Sequence, residues 1–149
     1  MKNKIIFMII LIIASVMILS ACENNNDNSE FELSEKVSAR FDEIFLAFNE
    51  KRFDDYVSYY RIDEDQKNMM LTGLKSGVEN NYDTKYEIRN VVAFKGDDGE
   101  ISATIIYYFI SNFDGDSFII EETMYYKLME EDGKFFISSY ESGPQRVID

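Results

Sequence analysis

The chain has 149 residues, enough for one domain with a substantial core, and its 28 acidic and 15 basic residues give a formal net charge of −13. A strongly acidic surface repels nucleic acid and anionic lipid headgroups and attracts cationic partners, although it also serves solubility alone. Because the chain contains no histidine, Ser-His-Asp and Cys-His catalysis are excluded, and the commonest protein ligand of transition metals is missing.

The first 21 residues have the organisation of a bacterial export signal. Two lysines precede an apolar run from Ile5 to Leu19, and the tetrapeptide Leu19-Ser20-Ala21-Cys22 follows. This tetrapeptide resembles the bacterial lipobox, in which the cysteine is lipidated and becomes the first mature residue. The resemblance predicts a signal peptide over residues 1–21 and a lipid such as palmitate on Cys22, which holds the chain on the extracytoplasmic face of the cell membrane. The alternative is an uncleaved anchor, because the run approaches the roughly 20 apolar residues that span a bilayer.

The sequence after the signal predicts a short tether and one domain. Cys22 is the only cysteine, so its acylation leaves no thiol for a disulfide, a metal site or a nucleophile. Residues 22–30 are polar after that cysteine and are expected to form a flexible tether, with a single domain over residues 31–149. Removal of the signal takes two lysines and no acidic residue, which changes the formal net charge from −13 to −15.

Helical periodicity dominates the first half of the domain. An amphipathic helix is predicted from about residue 33 to residue 49, with apolar residues at Val37, Phe41, Ile44, Phe45 and Phe48. A shorter stretch repeats the spacing at Phe53, Tyr56, Val57 and Tyr60. Asp63 and Gln66 suit the start of a third helix, in which Gly73 and Gly77 are expected to allow a close approach to a sheet.

The second half alternates with the period of a strand. Asp-Gly pairs at 98–99, 114–115 and 132–133 predict three hairpin turns. They divide the chain into strands near 85–96, 101–113, 117–130 and 134–141. The predicted fold class is therefore α+β, with N-terminal helices packed on a curved four-stranded antiparallel meander.

Each turn also predicts a register. The first pairs Val92 with Ile105 and Phe94 with Ala103, the second pairs Ile105 with Met124 and Phe109 with Ile120, and the third pairs Leu128 with Ile137. All three turns place the apolar residues of every strand on one face, which the helices are expected to cover.

Three polar residues form one row across that apolar face. Asn90 is expected opposite Tyr107, and Tyr107 opposite Glu122, while on the fourth strand the row falls near Gly143, past the predicted pairing. A carboxylate on an apolar wall is either solvated at the end of the sheet or buried with hydrogen-bond partners. Asn90, Tyr107 and Glu122 are therefore a candidate pocket that binds a ligand or moves a proton. The alternative is a solvated carboxylate, with the Tyr107 hydroxyl bonded to a neighbour.

The opposite face of the sheet carries a second candidate site. Tyr108, Tyr125, Met129 and Tyr140 are expected there, with Tyr125 opposite Tyr140 and Met129 opposite Phe136. An apolar patch of this kind on a sheet with helices on one side predicts an interface with a protein partner or with a second copy of the chain. The alternative is that sheet curvature and the chain ends cover it.

No metal, cofactor or catalytic residue is predicted. Asn112 to Asp116 begins like a calcium-binding EF-hand loop, but Ser117 and Thr123 stand where that motif needs glycine and a bidentate glutamate. No glycine-rich phosphate loop occurs in the sequence. The acidic loops are interpreted as solvated turns and caps.

The order of elements, together with the closing stretch from Tyr126 to Ile137, resembles the nuclear transport factor 2-like, or cystatin-like, cone superfamily, as found in small bacterial lipoproteins. The resemblance covers about residues 31–141. It implies a curved sheet wrapped around helices, a cone-shaped pocket and frequent dimerisation through the outer face of the sheet. Some members are isomerases or dehydratases that use aspartate, histidine and tyrosine in the cone, whereas many only bind or scaffold.

These features predict a membrane-anchored protein-binding or assembly module, with protection against a cationic toxin or peptide as one form of that function. Two alternatives stay open. One is a small-ligand-binding or isomerase-like cone that uses Tyr107 and Glu122, and the other is a purely structural envelope component. Binding is favoured over catalysis because the cone lacks histidine.

Overall fold

The computed structural model describes residues 25–80, 83–113 and 116–148. Three helices come first, α1 (Asn25–Asn49), α2 (Phe53–Ser58) and α3 (Glu64–Glu79). Four strands follow, β1 (Asp83–Lys95), β2 (Ile101–Phe113), β3 (Asp116–Glu131) and β4 (Lys134–Ile148). They form one open antiparallel sheet in the order β1-β2-β3-β4, which confirms the predicted α+β fold with helices before a meander. The predicted signal peptide, Cys22 and the Asp114-Gly115 turn lie outside the described residues.

The helix boundaries follow the sequence with one correction. Asp63 caps α3 as predicted, because its side chain accepts a hydrogen bond of 2.8 Å from the Gln66 backbone and the Gln66 side chain accepts one of 3.3 Å in return. Helix α1, by contrast, already begins at Asn25, so residues 25–30 are helical where a flexible tether was expected.

The core lies between α1 and the concave face of the sheet. Phe41 and Ile44 of α1 pack there with Ile105 of β2 and Ile137 of β4, all at most 1% exposed. Burying a phenylalanine or isoleucine side chain of this kind contributes about 1.5–3 kcal/mol. This apolar layer fixes the helix against the strands.

Two side chains of α1 protect the free edge of β1. The Ser34 hydroxyl accepts from the Ala93 amide at 2.9 Å and donates to its carbonyl at 3.3 Å, and the Asn49 amide group makes the same pair of contacts with Tyr86 at 2.8 and 2.9 Å. Fifteen helical residues span about 22 Å. Seven strand residues span about 23 Å, so the helix and the strand match in length. Helix α1 therefore bonds to the edge of β1 as a neighbouring strand would, and it fixes the position of Tyr86.

The other edge strand, β4, is covered by the segment after α2. The Arg61 amide donates to the Ile137 carbonyl at 2.7 Å, and the Ile137 amide donates to the Tyr59 carbonyl at 2.9 Å. Arg61 also forms an ion pair with Glu131 and stacks on Phe136 at 3.4 Å. Helix α2 is thereby docked beside the N-terminal part of β4.

The hairpin registers agree with two of the three predicted turns. Ile105 pairs with Met124 and Leu128 with Ile137, as expected. The first turn is wrong by one residue, because the Gly96 amide bonds to the Glu100 carbonyl and Gly99 takes a left-handed conformation, which makes a longer loop than the two-residue turn. Arg89 is an extra residue that forms a bulge, so the residues before it lie on the face of the sheet that was predicted for them.

This register change moves two predicted core residues to the outside. Ala93, 1% exposed, faces the core, whereas Val92 and Phe94 are about half exposed at 51% and 48%. Val92 pairs with Thr104 and Phe94 with Ser102, in place of Ile105 and Ala103. The outer face of β1 is therefore more apolar than the sequence indicated.

A second irregularity lies in β4. Ser138 is an extra residue in this strand, so Tyr140 pairs with Tyr126 and Tyr125 pairs with Glu141. The predicted pairing of Tyr125 with Tyr140 is therefore wrong. The strand also continues to Ile148, past the predicted end at residue 141. Pro144 is tolerated because β4 is an edge strand.

Candidate ligand-binding cavity

Glu122 accepts hydrogen bonds from two side chains on the neighbouring strands of the sheet. The Tyr107 hydroxyl donates to Glu122 Oε2 at 2.7 Å, and Gln145 Nε2 donates to Oε1 at 2.6 Å. Register alone brings them together, because Tyr107, Glu122 and Gln145 are direct neighbours across β2, β3 and β4. The predicted third member, Asn90, is exposed and pairs with Ile106 beyond the Arg89 bulge, so it is not part of this row.

Six tyrosines line a cavity of about 160 Å³ beside this row. They come from three parts of the fold: Tyr56 and Tyr60 from α2 and the segment after it, Tyr86 from β1, and the remaining three from β2, β3 and β4. The complete lining is Phe45, Phe48, Tyr56, Tyr60, Met70, Leu74, Tyr86, Tyr107, Met124, Tyr126 and Tyr140. The wall thus combines aromatic surface with several hydroxyl groups and contains no basic side chain.

The local geometry of each element points these rings at one another. Tyr56 and Tyr60 are four residues apart, which places them on one side of a helical turn, and their hydroxyls are 2.7 Å apart. The rings of Tyr86 and Tyr107 meet at 84° with centroids 5.1 Å apart. Tyr140 contacts Tyr60 at 6.1 Å and 78°. Because these contacts are edge-to-face, the planes of neighbouring rings in the cavity wall are steeply inclined to each other.

Three of the six cavity hydroxyls keep their hydrogen-bonding capacity. Among the described residues, those of Tyr86, Tyr126 and the half-exposed Tyr140 have no hydrogen-bond partner, whereas every fully buried side-chain polar atom there has one. These hydroxyls are therefore not fully buried, and water or a ligand can bond to them.

The cavity environment keeps its phenols protonated. Burial raises the pKa of Tyr56 to about 12 and that of Tyr60 well above its usual range. Burial likewise raises the pKa of Tyr86, Tyr107 and Tyr126, and the negative charge of Glu122 adds to the rise for all three. These groups are hydrogen-bond donors and acceptors near neutral pH, and none of them is a ready general base.

Helix α3 covers the cavity loosely. Met70 and Leu74 line it, yet no residue of this helix is fully buried. The expectation that Gly73 and Gly77 allow close packing on the sheet is wrong, because nothing lies within 4 Å of where a side chain would start at either. Instead the two glycines border a second hollow of about 290 Å³, which reaches Phe109 and Phe118. The helix therefore lies across the end of the cone as a partly supported cover.

The outer face of the sheet keeps two of the four predicted interface residues exposed. Tyr125 and Met129 are 45% and 47% exposed there, whereas Tyr108 lies under the guanidinium of Arg89 at 4.6 Å. Tyr140 faces the tyrosine cavity, so its placement on the outer face was wrong. Phe94 takes its place beside Tyr125, across a groove of about 240 Å³ that the small Ser102 and Thr104 leave open.

Neither a metal cluster nor a spanning helix occurs in the described part of the chain. No group of three or more acidic, cysteine or histidine side chains there is arranged to hold a metal ion. Within residues 25–80, 83–113 and 116–148, no helix is long and apolar enough to cross a membrane.

Sequence reasoning found part of the cavity without recognising it. Tyr107 was recognised as a polar residue of the inward face, and Tyr56 and Tyr60 were placed at helical spacing, but a shared cavity was not predicted. The available signal was the number of tyrosines among the inward residues, since a core filled with phenylalanine would need no hydroxyl partners. Gln145 gave no signal, because β4 was expected to end before it.

Comparisons with known proteins agree with the fold and go no further. No family model and no curated protein matches the sequence. Three solved structures are similar in shape. Aln2 from a Streptomyces species has a TM-score of 0.60 and 11% identity, covering 75% of this chain and 90% of that one. The intermembrane space region of the chloroplast protein ARC6 has a TM-score of 0.53 and 11% identity, covering 76% and 95%.

The third structure, from Catenulispora acidiphila, has a TM-score of 0.53 and 12% identity, covering 77% of this chain and 93% of that one. Identities this low show the architecture alone. The architecture is consistent with the cone-type fold that the sequence resembles.

Proposed function

We propose that this chain is a binding protein whose cone holds a small molecule at the outer face of the cell membrane. The observation that carries the proposal is the tyrosine-lined cavity, in which the Tyr86 and Tyr126 hydroxyls lack protein partners among the described residues. Ligand sites combine apolar and aromatic walls with a few placed polar groups. At about 160 Å³ the cavity resembles in size the roughly 150 Å³ hollow that holds benzene in an engineered protein.

Binding fits the cavity better than catalysis does. Both oxygens of Glu122, the one carboxylate beside it, already accept hydrogen bonds from Tyr107 and Gln145. The surrounding phenols hold their protons because of burial. General acid–base catalysis is most efficient when a group titrates near the working pH, and these phenols do not.

Filling the cavity tests this function, and helix α3 offers a matched pair of variants. Met70 lines the cavity, whereas its neighbour Met69 is 75% exposed. Fragments of benzene size with one polar group are added to the full chain in maltoside detergent, and binding is followed by NMR. We expect shifts at Tyr86 and Tyr126 that Met70→Trp abolishes and Met69→Trp preserves. Absence of any fragment binding, or equal binding by both variants, would overturn the proposal.

The membrane location rests on the lipobox-like tetrapeptide that ends at Cys22. Helix α1 begins at Asn25, so at most about 10 Å of chain separates the lipidated residue from the start of this helix. Palmitate labelling in cells should be lost in Cys22→Ala, which leaves a precursor or a released protein. Labelling that survives this substitution would contradict the anchor.

A second candidate function is self-association through the outer face. Phe94, Tyr125 and Met129 are exposed there, and neighbouring charges are paired within the face, as Lys127 is with Glu100 and Arg146 with Glu121. Because these pairs are locally neutral, the face can meet a second copy despite the acidity of the chain. The matched control for its aromatic residues is Phe31 on α1, which is also exposed.

Oligomeric state by light scattering tests this second function. We expect a dimer that becomes a monomer in the double variant Phe94→Ser with Tyr125→Ser, because central aromatic residues often contribute 2 kcal/mol or more to an interface. The control Phe31→Ser should stay dimeric. A monomeric parent protein would exclude this function and leave the cavity proposal intact.

A further inference from the structure

The tyrosine cavity has the electrostatic character of a cation site. Its lining contains six tyrosines and no lysine, arginine or histidine. Glu122 stands next to it, bonded to the hydroxyl of the lining residue Tyr107. An anionic ligand would meet this carboxylate without any cationic partner in the wall, and such a buried like-charge contact is strongly unfavourable.

The hydroxyl groups strengthen that character. Tyr107 directs its proton to Glu122, so the lone pairs of its oxygen are left for other contacts. One of the Tyr56 and Tyr60 hydroxyls donates to the other at 2.7 Å, so the oxygen of the donor likewise keeps its lone pairs for other contacts. Burial raises the pKa of Tyr86, Tyr107 and Tyr126, and the negative charge of Glu122 adds to the rise for all three.

The ring geometry suits a rounded apolar cation. Tyr86 meets Tyr107 at 84°, and Tyr60 meets Tyr140 at 78°, so the two rings of each pair stand nearly perpendicular to each other. A cation over the face of an aromatic ring is attracted by the ring quadrupole, and the attraction grows when both are removed from water. Quaternary and other alkylated ammonium groups are held by aromatic cages on this principle.

Size and overall charge agree with such a ligand. The hollow of about 160 Å³ can accept a headgroup with a few methyl substituents but excludes a larger ring system. The formal net charge of −13 raises the local concentration of cations around the protein. Tyr140 is half exposed at the rim, so a substituent of the headgroup can extend past it to solvent.

We propose that the cavity of the six tyrosines binds a small alkylammonium group, with Glu122 as its counter-ion. This inference rests on the proposed ligand-binding function and names the class of ligand. A neutral apolar molecule fills the same space but gains no attraction from the Glu122 carboxylate. An alkylammonium group is attracted by the carboxylate, by the phenol oxygens and by the ring faces together.

Two probes of the same shape and different charge test the proposal. Choline and its neutral isostere 3,3-dimethylbutan-1-ol differ in one atom, the nitrogen or carbon that carries three methyl groups. Binding is measured by NMR with the full chain in a maltoside detergent, which has no choline headgroup. We expect choline to bind at least tenfold more tightly than the isostere. We also expect Met70→Trp to abolish both interactions.

Glu122→Gln and Glu121→Gln supply the matched variants. They are neighbours in β3, but Glu122 reaches the cavity row, whereas Glu121 pairs with Arg146 on the outer face. Choline affinity should fall about tenfold in Glu122→Gln and change less than twofold in Glu121→Gln, while affinity for the isostere stays the same in both.

Each other outcome overturns the inference. Equal binding of choline and the isostere, or unchanged choline binding in Glu122→Gln, means that the cavity does not select charge. Binding of neutral fragments alone overturns the cation assignment and leaves the proposed ligand-binding function standing. If neither probe and no fragment binds, both proposals are wrong.

Discussion

The two faces of the sheet use the same residue types for opposite purposes. Tyr126 and Tyr125 are adjacent in β3, yet Tyr126 is 5% exposed in the wall of the cavity and Tyr125 is 45% exposed on the outer face. On the inner face, tyrosines surround a hollow that the helices cover. On the outer face, the aromatic rings of Phe94 and Tyr125, the Met129 side chain and paired charges are exposed to solvent.

The difference shows that helix coverage distinguishes the faces better than hydrophobicity does. Helix α1 is fastened to β1 at both ends of their contact by Ser34 and Asn49, so the inner face is closed along one edge. No helix in the described residues packs on the outer face around Phe94 and Tyr125, although both faces of the sheet carry apolar residues. A strand with two apolar faces implies either two layers or an interface.

Paired phenylalanine substitutions should give the largest contrast between the faces. Phe41→Ala empties a fully buried site in the core and should lower the free energy of unfolding by about 3–5 kcal/mol. Phe94→Ala removes a half-exposed ring on the outer face and should change it by less than about 1 kcal/mol. Urea titration measures both. A similar loss in the two variants would show that the outer face is buried in solution by another copy.

Alkaline pH should destabilise the inner face selectively. Because burial raises the pKa of Tyr56 to about 12, its phenol keeps its proton in the folded state after the unfolded state has lost it. Its contribution to the free energy of unfolding is complete below pH about 10, which is the pKa of the phenol in the unfolded state. That contribution is lost as the pH rises towards the pKa of the folded state. The loss from this group is about 3 kcal/mol.

Circular dichroism during a pH titration measures that loss. The double variant Tyr56→Phe with Tyr86→Phe removes two of the buried phenols, so its stability should fall less steeply between pH about 10 and 12. Only the slope is compared, since the substitutions also change stability at neutral pH. Identical slopes for the parent chain and the variant would contradict the assignment of buried phenols.

The sequence predicted the fold well because period and turn chemistry act locally. The capping box of Asp63 and Gln66 and the tight turn at Asp132-Gly133, where both residues have left-handed φ angles, are written in a few adjacent residues. The C-terminal end of α1 was harder to predict from the sequence. Lys51 takes the left-handed conformation that glycine usually supplies, with the Arg52 amide bonding back to the Ala47 carbonyl.

The candidate site was predicted only in part because bulges are set by tertiary packing. Tyr107 and Glu122 were brought together correctly, since β2 and β3 pair without irregularity. Asn90 was misplaced because the first turn is one residue longer than predicted, and Tyr140 because the extra residue Ser138 reverses the face of the strand that follows it. The bulges at Arg89 and Ser138 contain no glycine, the residue that often indicates a bulge in a strand.

A disulfide across the first hairpin distinguishes the predicted register from the observed one. Val92 pairs with Thr104 on the outer face, so Val92→Cys with Thr104→Cys should oxidise readily in a background with Cys22→Ser. Val92→Cys with Ile105→Cys should not, because the two side chains point to opposite faces. Mass spectrometry after mild oxidation gives both yields. Preferential crosslinking of the second pair would restore the two-residue turn at Asp98-Gly99.

The smallest expected effects come from two glycines with opposite surroundings. At Gly73, in α3 above the inner face, nothing lies within 4 Å of an added methyl group, and alanine favours a helix by up to about 1 kcal/mol. Gly73→Ala should therefore stabilise the protein. A loss of stability instead would mean that α3 lies closer to the sheet in solution and that the hollow beneath it is filled.

Gly143, on β4, has no such space. An added Cβ would lie 2.7 Å from Cε2 of Tyr125 and 3.0 Å from the Thr123 carbonyl, so the ring has to move. Because Tyr125 is half exposed, the ring can swing towards solvent, and Gly143→Ala should cost only about 1 kcal/mol in urea titration. If the ring is the main obstacle, the cost should largely disappear in the Tyr125→Ala background. A cost that persists there would assign the strain to the Thr123 carbonyl and leave Tyr125 free to meet a partner on the outer face.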